Sequence, residues 1–477
     1  MDVSSFKFLI PVVFSVFIFY WLKSKFRVPL LIILSLGFIA TYNYYLVFYI
    51  IGYALLNYQL GLMIPGSEYK IALFRTGVII NLLQLIILKY ATFAIDPIFH
   101  LFDSNFLLSR ISEIIIPIGV SFFTLQGIGY LVNIKMGWEK PETSFSGFLL
   151  YIVYFPKFLS GPIERSNHFL PQLKTSQNFN EKAVTEGFRL VLLGLFKKIA
   201  IANQLSPIIH NAYLNIDSAD GFDLWVVVFL QPLYLYFDFS GYTDIAIGIA
   251  RAFGISLLPN FNKPFLSENI TTLWRRMHMS LSFWFNDYVF KQTSFRLRRW
   301  GKYASVTAVF ITFTLFGIWH GAGWNFMILG FLQALAINFE YFTKRGRTKL
   351  FSLLPLRSRA WAGRVFTYFF FSVSHIFFFA PDFETAMNCF GKLSELNYPS
   401  DMTFLSSTSI LVYIFILVFM LIEILDNDYQ KVFTKIKLVW ADNRLRFRLA
   451  RWTLYYLAIF LILIFRTGNQ QFIYFQF

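Results

Sequence analysis

The sequence holds one cysteine, Cys389, in 477 residues, so no internal disulfide can staple it. Charge is scarce too: Asp, Glu, Lys and Arg make up 14% of the chain, against roughly 25% in a soluble domain. Acidic residues are the scarcer sign, 26 against 42 basic ones. No Cys/His cluster has zinc spacing, and no GxSxG elbow offers a serine nucleophile. Neither a GxxxxGK[ST] phosphate loop nor an HExxH metal pair occurs. These absences exclude disulfide scaffolds, elbow-type serine hydrolases, P-loop nucleotide enzymes and zincins, and no metal site is expected.

What the chain does contain is apolar surface. It is 57% hydrophobic and 21% aromatic, and runs such as 78–88 and 413–425, with their flanks, approach the ~20 residues that cross hydrocarbon as a helix. Barrel strands would read as alternating segments of ~10 residues, so the expected fold is an all-α polytopic membrane protein with membrane lipids as neighbours. The net charge of +16 invites a nucleic-acid reading. The basic residues, however, fall between hydrophobic segments, where cytoplasmic loops collect them; no nucleic-acid partner is expected.

In chain order, residues 6–22 read as a first span and not a removed signal, because only Lys7 is basic before the apolar run 8–22 and no small-residue cleavage site follows. The cluster Lys23, Lys25 and Arg27 places the N-terminus outside. Spans are expected at 28–40, 44–60, 71–94 and 111–132, with Asp96 and Asp103 in an outer loop. Residues 145–160 read as re-entrant, because Pro156, Gly161 and Pro162 interrupt them. A span at 188–210 carries Lys197 and Lys198 at membrane depth. The next, 225–250, carries Asp238, Ser240, Tyr242 and Asp244. Such residues face a bundle interior or a watery path, so the aspartates either pair with buried lysines or line a substrate path.

Residues 251–302 form the most basic and least hydrophobic stretch, expected as helices at the cytoplasmic interface. Arg275, Arg276 and the group at 296–299 also suit anionic headgroups. Spans at 303–319, 324–342, 361–380, 406–425 and 452–464 then alternate basic and acidic loops, giving about 12 transmembrane helices and an outer C-terminus. This alternation puts His320 nearer the outside and His278 nearer the cytoplasm. No soluble domain and no internal repeat of the transporter kind is visible. The chain is expected as one integral-membrane domain, with peripheral helices at 1–110, a core at 111–345 and C-terminal helices at 346–477.

Six histidines occur, at 100, 168, 210, 278, 320 and 375. Only His278 and His320 stand out as lying in aromatic, glycine-rich settings beside polar residues of membrane segments. His320 ends an apolar run at Trp319, turns through Gly321-Ala322-Gly323, and is followed by Trp324 and Asn325. A packed, hydrogen-bonded histidine at a helix end would look the same. Imidazole titrates near neutrality and can take a proton from a hydroxyl during group transfer. Apolar walls such as Trp319 and Trp324 would exclude water and protect an activated acyl group.

The motifs Pro117-Ile118-Gly119-Val120-Ser121-Phe122-Phe123-Thr124-Leu125-Gln126, 155–165, 231–248, 258–282, 317–325 and 472–477, in that order, resemble the membrane-bound O-acyltransferases (MBOAT), in particular the bacterial branch that acetylates alginate. The pair Trp274-Arg275-Arg276-Met277-His278-Met279-Ser280-Leu281-Ser282 and Trp319-His320-Gly321-Ala322-Gly323-Trp324 carries most of the specificity. Met277 and Ser160 depart from the family's usual aromatic and alanine. The resemblance implies re-entrant and interfacial helices around a central tunnel, with His320 as catalytic base and His278 as the second polar position. Asp238, Ser240, Tyr242, Asp244, Trp274, Arg275, Trp319, Trp324 and Asn325 are the expected tunnel residues.

The resemblance also implies O-acetyl transfer from a cytoplasmic thioester, such as acetyl-CoA or an acyl carrier, with no tightly bound cofactor. The acceptor would be an exported polysaccharide or peptidoglycan at a bacterial inner membrane, with an extracytoplasmic acetyl-esterase-like acyltransferase as partner. D-alanyl transfer to teichoic acid, or a non-enzymatic transporter or lipid flippase, are the alternatives.

Overall fold

In a computed structural model of the chain, residues 3–101, 119–175, 177–321, 323–395, 409–442 and 444–466 are described. They contain helices and no strand. Among the described residues, eight helices are long and apolar enough to cross a membrane, including Tyr44–Gly66, Gly221–Ala252, Lys302–His320 and Trp324–Phe351. Several other segments expected to span are shorter: Phe6–Trp21 has 16 residues, Arg27–Ala40 has 14 and Val120–Met136 has 17. Asp103, residues 111–118 of one expected span, and the 472–477 motif lie outside the described residues.

The chain divides into two compact units, Met1–Val191 with Thr243–Pro259, and Leu192–Tyr242 with Asn260–Gln476. These boundaries differ from the three-part division expected from the sequence. The first unit contains α1 (Phe6–Trp21), α2 (Arg27–Ala40), α3 (Tyr44–Gly66), α4 (Lys70–Leu101), α5 (Val120–Met136), α6 (Phe145–Val153) and α7 (Ser166–Leu173). Asn43 caps α3 by accepting from the Tyr45 amide at 2.8 Å. Helices α3 and α4 meet through a polar seam. Tyr53 donates to Asn81 Oδ1 at 2.6 Å, and Asn81 Nδ2 donates to Asn57 Oδ1 at 2.8 Å, which satisfies these groups inside an apolar pair. The expected outer loop at Asp96 is not one: α4 continues through it to Leu101. Of 95–101 only Pro97 disfavours a helix, by removing one donor and crowding the carbonyl four residues back, and the helix runs past it.

Residues 145–158 form two short buried helices, nine residues and then Phe155–Phe158, separated at Tyr154. At 1.5 Å per residue, nine residues reach about 14 Å, half of a bilayer core. The buried Lys157 donates to Gln126 and, at 2.6 Å, to the Tyr151 carbonyl, so its ammonium stays inside protein.

Following α8 (Glu181–Leu195), the backbone widens into a π-helical segment, Phe196–Ala202, and resumes as α9 (Asn203–Leu214). The second unit takes in α9 and most of α10 (Gly221–Ala252). It continues through α11 (Ile270–Trp274), α12 (Met279–Phe285), α13 (Lys291–Arg296), α14 (Lys302–His320), α15 (Trp324–Phe351), α16 (Leu356–Ser374) and α17 (Phe383–Ser394). Helices α18 (Ile410–Asp428), α19 (Gln430–Ala441) and α20 (Leu445–Ile464) complete it. The π segment carries Lys198, whose ammonium pairs with Asp238 of α10; both side chains are buried. Arg364 grips Asp428 with two bonds, at 2.6 and 2.7 Å. The stretch 251–302 is broken into short helices, as its mixture of proline, basic and aromatic residues requires.

Candidate active site

All of the site's geometry lies within the second unit. Helix α14 runs apolar to Trp319 and ends at His320, where Gly321 takes an extended conformation before α15 begins. Glycine is a weak helix former, so the span stops with the imidazole at its C-terminal end. Helix α15 returns against α14 at close range. A Cβ at Gly317 would overlap the Phe326 carbonyl oxygen, and one at Gly330 would overlap that of Phe313. These two glycines let the backbones touch beside His320.

His278 arrives differently. It has φ +46° and ψ 49°, the left-handed region, which costs an L-residue about 1–2 kcal/mol. Asn260 holds this corner: its carbonyl accepts from the Met279 amide at 2.9 Å, and its Oδ1 accepts from the Ser280 hydroxyl at 2.6 Å. One turn earlier, Glu340 of α15 caps α11 by accepting from the Ile270 and Thr271 amides at 2.5 and 3.1 Å, so Trp274 is fixed from α15.

The result is one small apolar cavity. Phe239, Trp274, His278, Phe316, His320 and His375 are among its walls. The rings of His278 and His320 stand 6.4 Å apart. Phe239 meets His278 edge-on at 4.6 Å, and Phe316 packs against His320 at 4.9 Å. Trp319 lies behind both imidazoles, at 6.1 and 5.0 Å. The loop charges in the sequence suggest opposite faces for the two histidines; their rings share one cavity, with His278 on its corner. Burial pushes the His278 imidazole down to about 3, so that ring is neutral at physiological pH.

Of the expected tunnel residues, Trp274 lines this cavity with the two histidines. Asp238 faces Lys198 instead, and Ser240 and Tyr242 are buried on α10 without lining the cavity. Asp244 belongs to the other unit. Arg275 and Trp324 are exposed, and Asn325 is buried with its amide donated to the Ala380 carbonyl at 3.1 Å.

Two polar wall residues, Gln333 and His375, escaped the sequence reading. Gln333 accepts from Trp274 Nε1 at 3.1 Å and donates to Ser374 Oγ at 2.9 Å; its signal was a lone amide in an apolar run. His375 precedes Ile376-Phe377-Phe378-Phe379, an aromatic setting as dense as those of the two histidines singled out. That setting is therefore not confined to His278 and His320.

Residues 140–380, which include every cavity residue named above, match the family described as MBOAT, membrane-bound O-acyltransferase. The chain belongs to this family. It is 29% identical over 415 residues to the probable alginate O-acetylase AlgI of Azotobacter vinelandii, covering 84% of this chain and 81% of that protein. It is 30% identical over 397 residues to the peptidoglycan O-acetyltransferase of Helicobacter pylori, covering 77% and 73%. Against the teichoic acid D-alanyltransferase of Bacillus subtilis the identity is 32% over 243 residues, 48% of this chain and 60% of that one. The protein is thus a multi-pass membrane acyltransferase, which decides for an enzyme over the transporter reading.

Proposed function

We propose that the protein moves an acyl group, acetyl in the first instance, from a thioester donor to a hydroxyl of an exported cell-envelope glycan. The observation that carries this reading is the pair of buried imidazoles facing one water-poor aromatic cavity at the end of a span. In the proposed step His320 takes the proton of the acceptor hydroxyl while its oxygen attacks the thioester carbonyl. The new C–O ester bond forms, the C–S bond breaks, and the proton passes to the departing thiolate. His278, neutral beside it, orients the donor or assists the proton's movement. The aromatic walls protect the thioester from hydrolysis. The donor is acetyl-CoA or an acyl carrier from the cytoplasm, and no cofactor is bound tightly. The cavity is the narrow part of a tunnel between the two faces of a bacterial inner membrane, with about 12 spans in all and both termini outside. An extracytoplasmic acetyl-esterase-like acyltransferase is the partner at the outer face, where it presents the polymer to this site.

The relatives that acetylate alginate and peptidoglycan cover most of the chain, and they favour acetyl transfer over D-alanyl transfer, whose relative covers less. Replacing His320 by alanine, with membrane expression matched to wild type, is expected to abolish O-acetylation of envelope glycans measured by mass spectrometry. Persisting acetylation would rule out His320 as the base.

A further inference from the structure

His375 is the third imidazole of the cavity, and its chemistry is set by its own bonds. Its ring is buried and lies tilted against that of Phe371, with centroids 3.6 Å apart. Nδ1 lies 2.8 Å from the Phe371 carbonyl oxygen. A carbonyl only accepts, so Nδ1 carries the proton and Nε2 keeps its lone pair. Among the described residues, the side-chain hydrogen bonds of His375 run through Nδ1, and the ring forms part of the cavity wall. Phe378 stands against both His320 and His375, at 5.8 and 5.9 Å.

The neighbouring polar groups are already committed. Trp274 Nε1 donates to Gln333, Gln333 donates to Ser374, and Ser374 donates to the Phe371 carbonyl at 3.0 Å. This rail fixes the segment that carries His375 and leaves Nε2 as an acceptor in a largely apolar wall. An acceptor matches only a donor, so it cannot hold a thioester carbonyl; it can hold an O–H.

We propose that His375 binds a second hydroxyl of the acceptor through Nε2, positioning an adjacent hydroxyl of the same molecule for His320. The acceptor class that this selects carries neighbouring hydroxyls, as a sugar ring does. The inference rests on the acyl-transfer reading above and assigns His375 to the acceptor and not the donor.

The test uses the full-length protein in proteoliposomes, radiolabelled acetyl-CoA, and two acceptor probes, an oligomannuronate and an N-acetylglucosamine tetramer. With whichever probe the wild type acetylates, His375→Phe is expected to raise the acceptor KM about tenfold, the loss of one hydrogen bond. The donor KM and the release of CoA without acceptor should stay unchanged. His375→Gln, which keeps an acceptor atom, should recover part of the loss and serves in place of the Phe variant if that one fails to accumulate. An unchanged acceptor KM, or donor and acceptor parameters falling together, would show that His375 only packs. Transfer to neither probe by the wild type would instead remove the proposed glycan acceptor, and this assignment with it.

Discussion

A lysine and an aspartate within an apolar bundle are stable only as a pair, and Lys198 with Asp238 is such a pair. Removing one partner strands the other charge, at a cost of about 3–5 kcal/mol. Asp238→Asn is therefore expected to lower the thermal midpoint of the detergent-solubilised protein by many degrees. The double variant Lys198→Met with Asp238→Leu should recover most of that loss, because replacing a buried pair with packed apolar groups is often neutral. Equal losses in the single and double variants would show that the pair contributes by shape alone. At this scale the sequence was half legible. It showed that Asp238, Lys197 and Lys198 lie where charge is costly, yet composition does not reveal who faces whom. The π-helical widening at Phe196–Ala202 rotates the lysines relative to a regular helix, and no residue pattern announced it. His375 was readable in principle, since its aromatic setting was in plain view.

Among the elements, the α14–α15 hairpin is the most constrained. Gly317→Ala drives a methyl into the Phe326 carbonyl and is expected to cost about 1–3 kcal/mol, as overpacking does, with acetyl transfer falling because His320 is one turn away. Gly346→Ala on α15 meets nothing within 4 Å and should be neutral or raise stability by up to about 1 kcal/mol. Thermal unfolding and transfer assays on the two variants compare the same added methyl in opposite settings; matching behaviour would refute the close contact. Helices with uninterrupted apolar runs, such as α14, α15 and α18, were legible from hydropathy. The breaks around Pro156 and Pro162 were legible from proline chemistry. Helices were expected in 251–302, but the bounds of α11 and α12 were not legible, because tertiary bonds set them: Glu340 caps one, and Asn260 holds the corner before the other.

For the whole molecule, the distribution of charge is the ordering principle. The basic stretch at 344–349 and the acidic residues Asp382 and Glu384 flank α16 and its continuation to Phe379. With Cys389 replaced by serine, single cysteines at Leu353 and Asp382 should react oppositely in intact cells. Membrane-impermeant maleimide is expected to label Asp382→Cys at once and Leu353→Cys only after permeabilisation. The reverse pattern would invert the orientation proposed here.

The two imidazoles reach their cavity by unlike routes. His320 rides on a membrane-length helix, whose displacement would disturb packing along its whole span, while His278 stands on a left-handed corner secured by a few local bonds. Descent within the family can therefore revise one without the other. The ring proposed as base is held in place by the architecture around it, whereas the neighbouring ring, proposed for the donor, can be retuned by changes confined to a loop.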